Sequence, residues 1–180
     1  MKKIITFLFC ILLVTGCNTL DISNTPTKKV ETFLNNYQIL HEDVLKDLDR
    51  VIEQENNFDE NNKEEYRKLI KKQYKDMQYT IKEEKVDGDE AKVTAEIIVK
   101  DFTKVINEAQ SYRKENPQEF YEEEIYNENL YRKYLLDKLK ESKEKITYTL
   151  EFTLHKENKK WVLDPIDEEI EDKVLGIYNY

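Results

Sequence analysis

Apolar residues switch back and forth along this chain between helical and strand spacing. From Thr25 onward, Val30, Phe33, Leu34, Tyr37, Leu40, Val44, Leu45, Leu48, Val51 and Ile52 recur in steps of three and four. That spacing marks one buried stripe on a helix. Thr25-Pro26 supplies an N-cap and a first helical residue. The pattern therefore predicts one long amphipathic helix, about 40 Å if straight. Asn56-Asn57 and Asn61-Asn62 break it, and Tyr66, Leu69, Ile70, Tyr74 and Met77 predict a second helix.

The period then becomes two. Tyr79 and Ile81 open a strand that runs to Val86, and Asp87-Gly88 signals a tight hairpin. On the return strand Ala91, Val93, Ala95, Ile97 and Val99 alternate with Lys92, Thr94, Glu96, Ile98 and Lys100. One face is buried and the other wet, as in a half-buried antiparallel sheet. Residues 102–144 return to helical spacing, and Pro117 divides them because proline lacks the donor a helix needs and biases Asn116 away from helix. The second half starts acidic, at Glu122-Glu123-Glu124, and ends basic, at Lys138, Lys140, Lys143 and Lys145. That order complements a helix dipole, so those glutamates read as a solvated helix start. Ile146, Tyr148, Leu150, Phe152 and Leu154 predict another strand, 156–160 its hairpin loop and Trp161-Val162-Leu163 the partner, ended by Pro165. Asp167 is expected to cap a short terminal helix.

The amino terminus changes the picture. Met1-Lys2-Lys3 is basic, and Ile4 to Val14 is apolar except for Thr6. A spanning helix needs about 20 apolar residues, so this run has the length of a secretory signal instead. Val14-Thr15-Gly16-Cys17 is similar to a bacterial lipobox, a resemblance that implies acylation of Cys17 and cleavage just before it. Cys17 is the candidate lipidation site, and several acyl chains hold a membrane better than one. Cleavage removes Cys10, leaving Cys17 as the only cysteine, so neither a disulfide framework nor a thiolate metal cluster is expected. The formal net charge is -9, and losing Lys2 and Lys3 makes it more negative. That balance argues against nucleic acid, whose binding needs phosphate-neutralising Lys and Arg, and against polybasic attachment to lipid.

The segments "TPTKKVETFLNNY", "YTIKEEKVDGDEAKVTAEIIVKDF" and "KKWVLD", in that order, resemble bacterial lipoproteins of unknown function with a cystatin-like or nuclear-transport-factor-two-like domain. The resemblance implies a curved antiparallel sheet wrapped around a long helix, with a conical cavity between them in some relatives. The expected fold is α+β: long N-terminal helices packed on a curved sheet of about four strands, with residues 102–144 as a helical insert between two hairpins. The expected plan is a signal peptide at 1–16, a tether at 17–24 and a single domain over 25–180.

Candidate chemistry is sparse. Asp101 sits where relatives of cavity-enzyme type often place a base, but an Asp at that position also caps the following helix. His41 is expected as a semi-buried structural histidine and His155 as an exposed residue at a hairpin edge; neither has metal-ligand spacing. Glu168-Glu169 reads as a solvated helix start, and Asp87-Gly88-Asp89 is too short for a calcium loop. Tyr112, Tyr121, Tyr126, Tyr131 and Tyr134 crowd the insert. Tyrosine suits both core and contact surfaces, and Tyr121, Tyr126, Tyr131 and Tyr134 form the candidate partner surface. No catalytic constellation, cofactor or metal is expected. The leading expectation is a membrane-anchored lipoprotein facing out of the cytoplasm that binds a small ligand or an envelope protein. A small isomerase or hydratase with a cavity is the alternative, and an immunity or inhibitor lipoprotein is a third.

Overall fold

The computed structural model describes residues 24–54 and 59–179. Cys17, the signal peptide and most of the tether lie outside the described residues. The architecture is α+β, with helices and an insert around a four-stranded antiparallel sheet. Helices α1 (Pro26–Gln38), α2 (Glu42–Gln54) and α3 (Glu60–Asp76) precede strands β1 (Gln78–Asp87) and β2 (Glu90–Lys100). The insert holds α4 (Phe102–Glu115), a 3₁₀ turn (Pro117–Phe120), short strands β3 (Tyr121–Glu122) and β4 (Ile125–Tyr126), and α5 (Glu128–Glu141). Strands β5 (Lys145–Glu157) and β6 (Lys160–Leu163) and helix α6 (Glu168–Leu175) complete the chain.

The main sheet has the order β1-β2-β5-β6. Val93 faces Phe152 and Ile97 faces Tyr148 across the central pair, so the apolar sets of both strands share one face. All of Ala91, Val93, Ala95, Ile97 and Val99 are buried, together with Tyr148, Leu150, Phe152 and Leu154. Helix α1 covers that face. Its Val30 and Leu34 are fully buried, and Phe33 meets Phe152 edge-on at 5.6 Å. Each such apolar side chain contributes about 2 kcal/mol when fully buried. Thr25 caps α1 by accepting from Lys28 N at 3.1 Å, with Pro26 in the first turn. The wet face carries ion pairs between strands, Lys92 with Glu151 and Lys82 with Glu96.

Two expectations about the helices need correction. The long N-terminal helix is two helices. Helix α1 stops at Gln38, Leu40 takes φ +54, and His41 N donates to Asn36 O while Leu40 N donates to Tyr37 O. These paired bonds satisfy the last carbonyls of α1 and turn the chain. His41, expected to be semi-buried, is thrown outward at this break and exposed, where its Nδ1 accepts from Asp43 N. The second correction concerns Glu122-Glu123-Glu124, which do not start a helix. Glu123 and Glu124 have φ +49 and +69 and form the two-residue turn between β3 and β4. Helix α5 begins at Glu128, capped by Asn127, whose side chain accepts from Asn129 N.

Candidate functional site

The insert has a root and a tip, and the root is built from buried polar bonds. Lys100 pairs with Lys145 across β2 and β5, so the insert leaves and rejoins the sheet at one place. Asp101 N donates to Glu144 O at 3.0 Å, and Lys104 Nζ lies 2.7 Å from the Glu144 carboxylate. Gln73, buried in α3, joins three segments. Its Nε2 donates to Lys100 O and Leu175 O, each at 3.0 Å, and its Oε1 accepts from Lys100 N. Gly176 ends α6 at φ +77, and a Cβ there would stand 2.2 Å from Lys100 O. Its own carbonyl accepts from Phe102 N and Thr103 N. Only glycine meets both the dihedral and the contact.

Beyond the root, α4 and α5 carry an aromatic layer. Tyr112 stacks on Tyr134 with centroids 5.0 Å apart, and buried Phe120 meets Tyr131 and Tyr134 edge-on. The Arg113 guanidinium lies 4.2 Å over the Tyr131 ring. Tyr112 OH donates to Glu119, and this bond raises the phenol pKa. Phe120 also holds the tip, since Asn127 N donates to Phe120 O at 2.7 Å.

At the tip every residue from 121 to 126 is exposed. Tyr121 is 47% exposed, Ile125 73% and Leu130 38%. Tyr121 and Tyr126 are cross-strand partners with rings 5.7 Å apart. Tyr126 OH donates to Glu128 at 2.9 Å. Among the described residues the other large exposed apolar side chains are Ile39, Val51 and Val86, one each from the end of α1, α2 and β1. The insert tip is therefore where exposed apolar side chains concentrate.

The candidate tyrosines separate into two groups. Tyr121 and Tyr126 stand at the tip, whereas Tyr131 is 4% exposed and Tyr134 is half-buried in the stack with Tyr112. The last two are packing residues of the insert, because α5 turns that stripe toward α4 and Phe120. Ile125 and Leu130 join the exposed group. Gln73 was legible only as a polar residue on an apolar stripe, between Ile70 and Met77 at helical spacing.

The remaining candidates have local roles. The Asp101 side chain accepts from Lys104 N and caps α4, and Asp167 caps α6 in the same way through Ile170 N. Glu168 and Glu169 lie in the first turn of α6. His155 is half-buried between two carboxylates, with Nδ1 2.5 Å from Asp164 and Nε2 3.1 Å from Glu157. The Glu157 bond first, then the Asp164 bond, raises its pKa. Among the described residues no three His, Cys, Asp or Glu side chains converge as metal ligands would.

A hollow of about 480 Å³ beside β1, β2 and β5, lined by Val86, Lys92, Leu154, His155 and Asp164, has the volume of an ordinary ligand site. Another hollow of about 120 Å³ beside Tyr37, Leu48, Tyr74 and Glu171 falls below the ~300 Å³ of ordinary ligand sites. Burial there pushes the Tyr37 phenol up to about 12 and raises the Glu171 carboxyl. A groove of about 630 Å³ between α4 and α5 is lined by Lys104, Glu144, Lys138 and Glu141, which already pair with one another. No helix among the described residues is long and apolar enough to cross a membrane.

The family model for the prokaryotic membrane lipoprotein lipid attachment site matches residues 1–18. The chain is a membrane-anchored bacterial lipoprotein. Its attachment site contains Cys17, and the described residues begin at Asn24. Neither the curated proteins nor the solved structures contain a match.

Proposed function

We propose that this lipoprotein faces out of the cytoplasm and works as a protein-binding module, with no catalytic role. The observation that carries this reading is the insert tip, where Tyr121, Ile125 and Tyr126 stand in solvent on a hairpin held by Phe120 and Leu130 is exposed in the first turn of α5. Exposed aromatic and aliphatic side chains gathered on one projection mark contact surfaces. The secretory signal before Cys17 supports the outward orientation. A helix laid across an antiparallel sheet supports kinship with the cystatin-like or nuclear-transport-factor-two-like lipoproteins.

The isomerase or hydratase alternative needs an open, polar cavity between helix and sheet. That space is filled by Leu34, Ile97, Tyr148, Leu150 and Phe152, all buried. The filled core favours the binding module over the enzyme. The test is in-cell crosslinking of the full-length lipoprotein beside its Tyr121→Ala/Ile125→Ala variant. A protein recovered with the wild type and lost with the variant, at equal expression, is the expected result. Identical recoveries would remove the tip from the function.

A further inference from the structure

The tip also constrains the kind of partner. Tyr121 and Tyr126 share one face of the hairpin, while the Glu122–Ile125 pair stands on the other. A flat surface would cover one face and leave the other in water. A cleft covers both, and each apolar side chain buried adds to affinity. At the base of the tip Arg113 donates to Tyr126 OH and, with Arg132, pairs with Glu128, while the tip segment itself carries only negative charge. Residues 118–131 contain Glu119, Glu122, Glu123, Glu124 and Glu128 and no lysine or arginine. Tyr112, Asn127 and Tyr126 hold Glu119, Glu122 and Glu128 respectively. Glu123 and Glu124, in the turn itself, have no hydrogen-bond or ion-pair partner among the described residues.

The anchor adds a geometric argument. Asn24 donates to Lys159 O and accepts from Trp161 N, which ties the tether to the β5–β6 turn. The insert is rooted at Lys100 and Lys145, the opposite end of β2 and β5, about 33 Å away at strand rise. Residues 17–24 reach at most about 25 Å even fully extended. The tether thus holds the end of the sheet that lacks the insert, and glutamates at the tip are repelled by anionic lipid.

We propose that the 121–126 hairpin is a wedge that enters an apolar cleft, rimmed by lysine and arginine, on a protein in the envelope. This rests on the binding reading above. The fixed turn and the Phe120 anchor leave little to order on docking, which removes one cost of association. Basic rim residues would pair Glu123 and Glu124, raising both the rate of encounter and its selectivity.

The test places a photo-crosslinking residue at Ile125 of the full-length lipidated protein in cells of its source. Adducts are mapped by mass spectrometry, with and without Glu123→Lys/Glu124→Lys. The expected result is a protein adduct in a Lys/Arg-bordered cleft whose yield falls at least tenfold on charge reversal. The Glu123→Gln/Glu124→Gln variant should fall between, with melting temperatures unchanged in both. A protein adduct indifferent to charge reversal would overturn the basic cleft and leave the binding reading standing. Lipid adducts, or none from positions 121, 125 and 130, would overturn both.

Discussion

At its root the insert is held by Gln73, Phe102 and Gly176, all buried, with each backbone group of Lys100 bonded to the Gln73 amide. At its tip Tyr121, Ile125 and Tyr126 stand in water, and the turn is made of two glutamates at positive φ. The root uses polar groups where apolar ones are the rule, and the tip does the reverse. Both departures have a physical price, and only the first is repaid within the molecule. A buried amide that bonds three backbone groups stabilises the junction of α3, β2 and α6. Exposed tyrosine and isoleucine bury far less in the free protein, and this imbalance is the ground for the contact role proposed for the tip.

This contrast can be broken by substitution. The largest effect is expected in the sheet core, where Phe152→Ala should cost about 3 to 5 kcal/mol in denaturant melts. Gly176→Ala follows at about 3 kcal/mol, because the new Cβ meets Lys100 O and the backbone stays left-handed. Gln73→Leu keeps the packing and should cost about 2 kcal/mol by stranding the Lys100 and Leu175 groups. If Gln73→Leu proved neutral in a melt, the root would be held by packing alone.

A smaller effect depends on pH. The folded pKa of His155 is raised by Glu157 and Asp164, so a protonated ring donates to both carboxylates. The stability these bonds contribute is fully present below the ordinary value of 6.5 and is lost as pH rises through the folded value. Melting temperature should therefore decline modestly over that interval in the wild type, and His155→Gln should flatten the decline. Equal slopes would show that the pairing contributes nothing to folding.

Sheet and helices differ in how legible they were. Alternation over 91–99 and 146–154 identified both central strands, because a half-buried strand writes its two faces into neighbouring residues. The N-terminal helix break was hidden because Leu40 takes the left-handed position that glycine or asparagine usually marks. Its apolar spacing also continues across the bend, through Leu40, Val44 and Leu48. The β3–β4 hairpin was hidden for a related reason. Glu123-Glu124 is a poor signature for a turn that usually uses asparagine and glycine, and three glutamates read more readily as a helix start. Tyr131 and Tyr121 could not be told apart as core and surface, since tyrosine serves both and α5 begins later than the acidic run suggested. Gln73 escaped notice because its partners come from segments distant in sequence, Lys100 and Leu175.

The central claim is that the tip is made for contact and the layer beneath it for folding. Denaturant unfolding of Tyr121→Ala/Ile125→Ala against Tyr131→Ala tests it most directly. The account predicts that the tip pair changes stability by less than about 0.5 kcal/mol. Tyr131→Ala, which empties the site between Phe120 and Arg113, should lose about 3 kcal/mol. Equal losses in the two variants would contradict the account and make the tip part of the core.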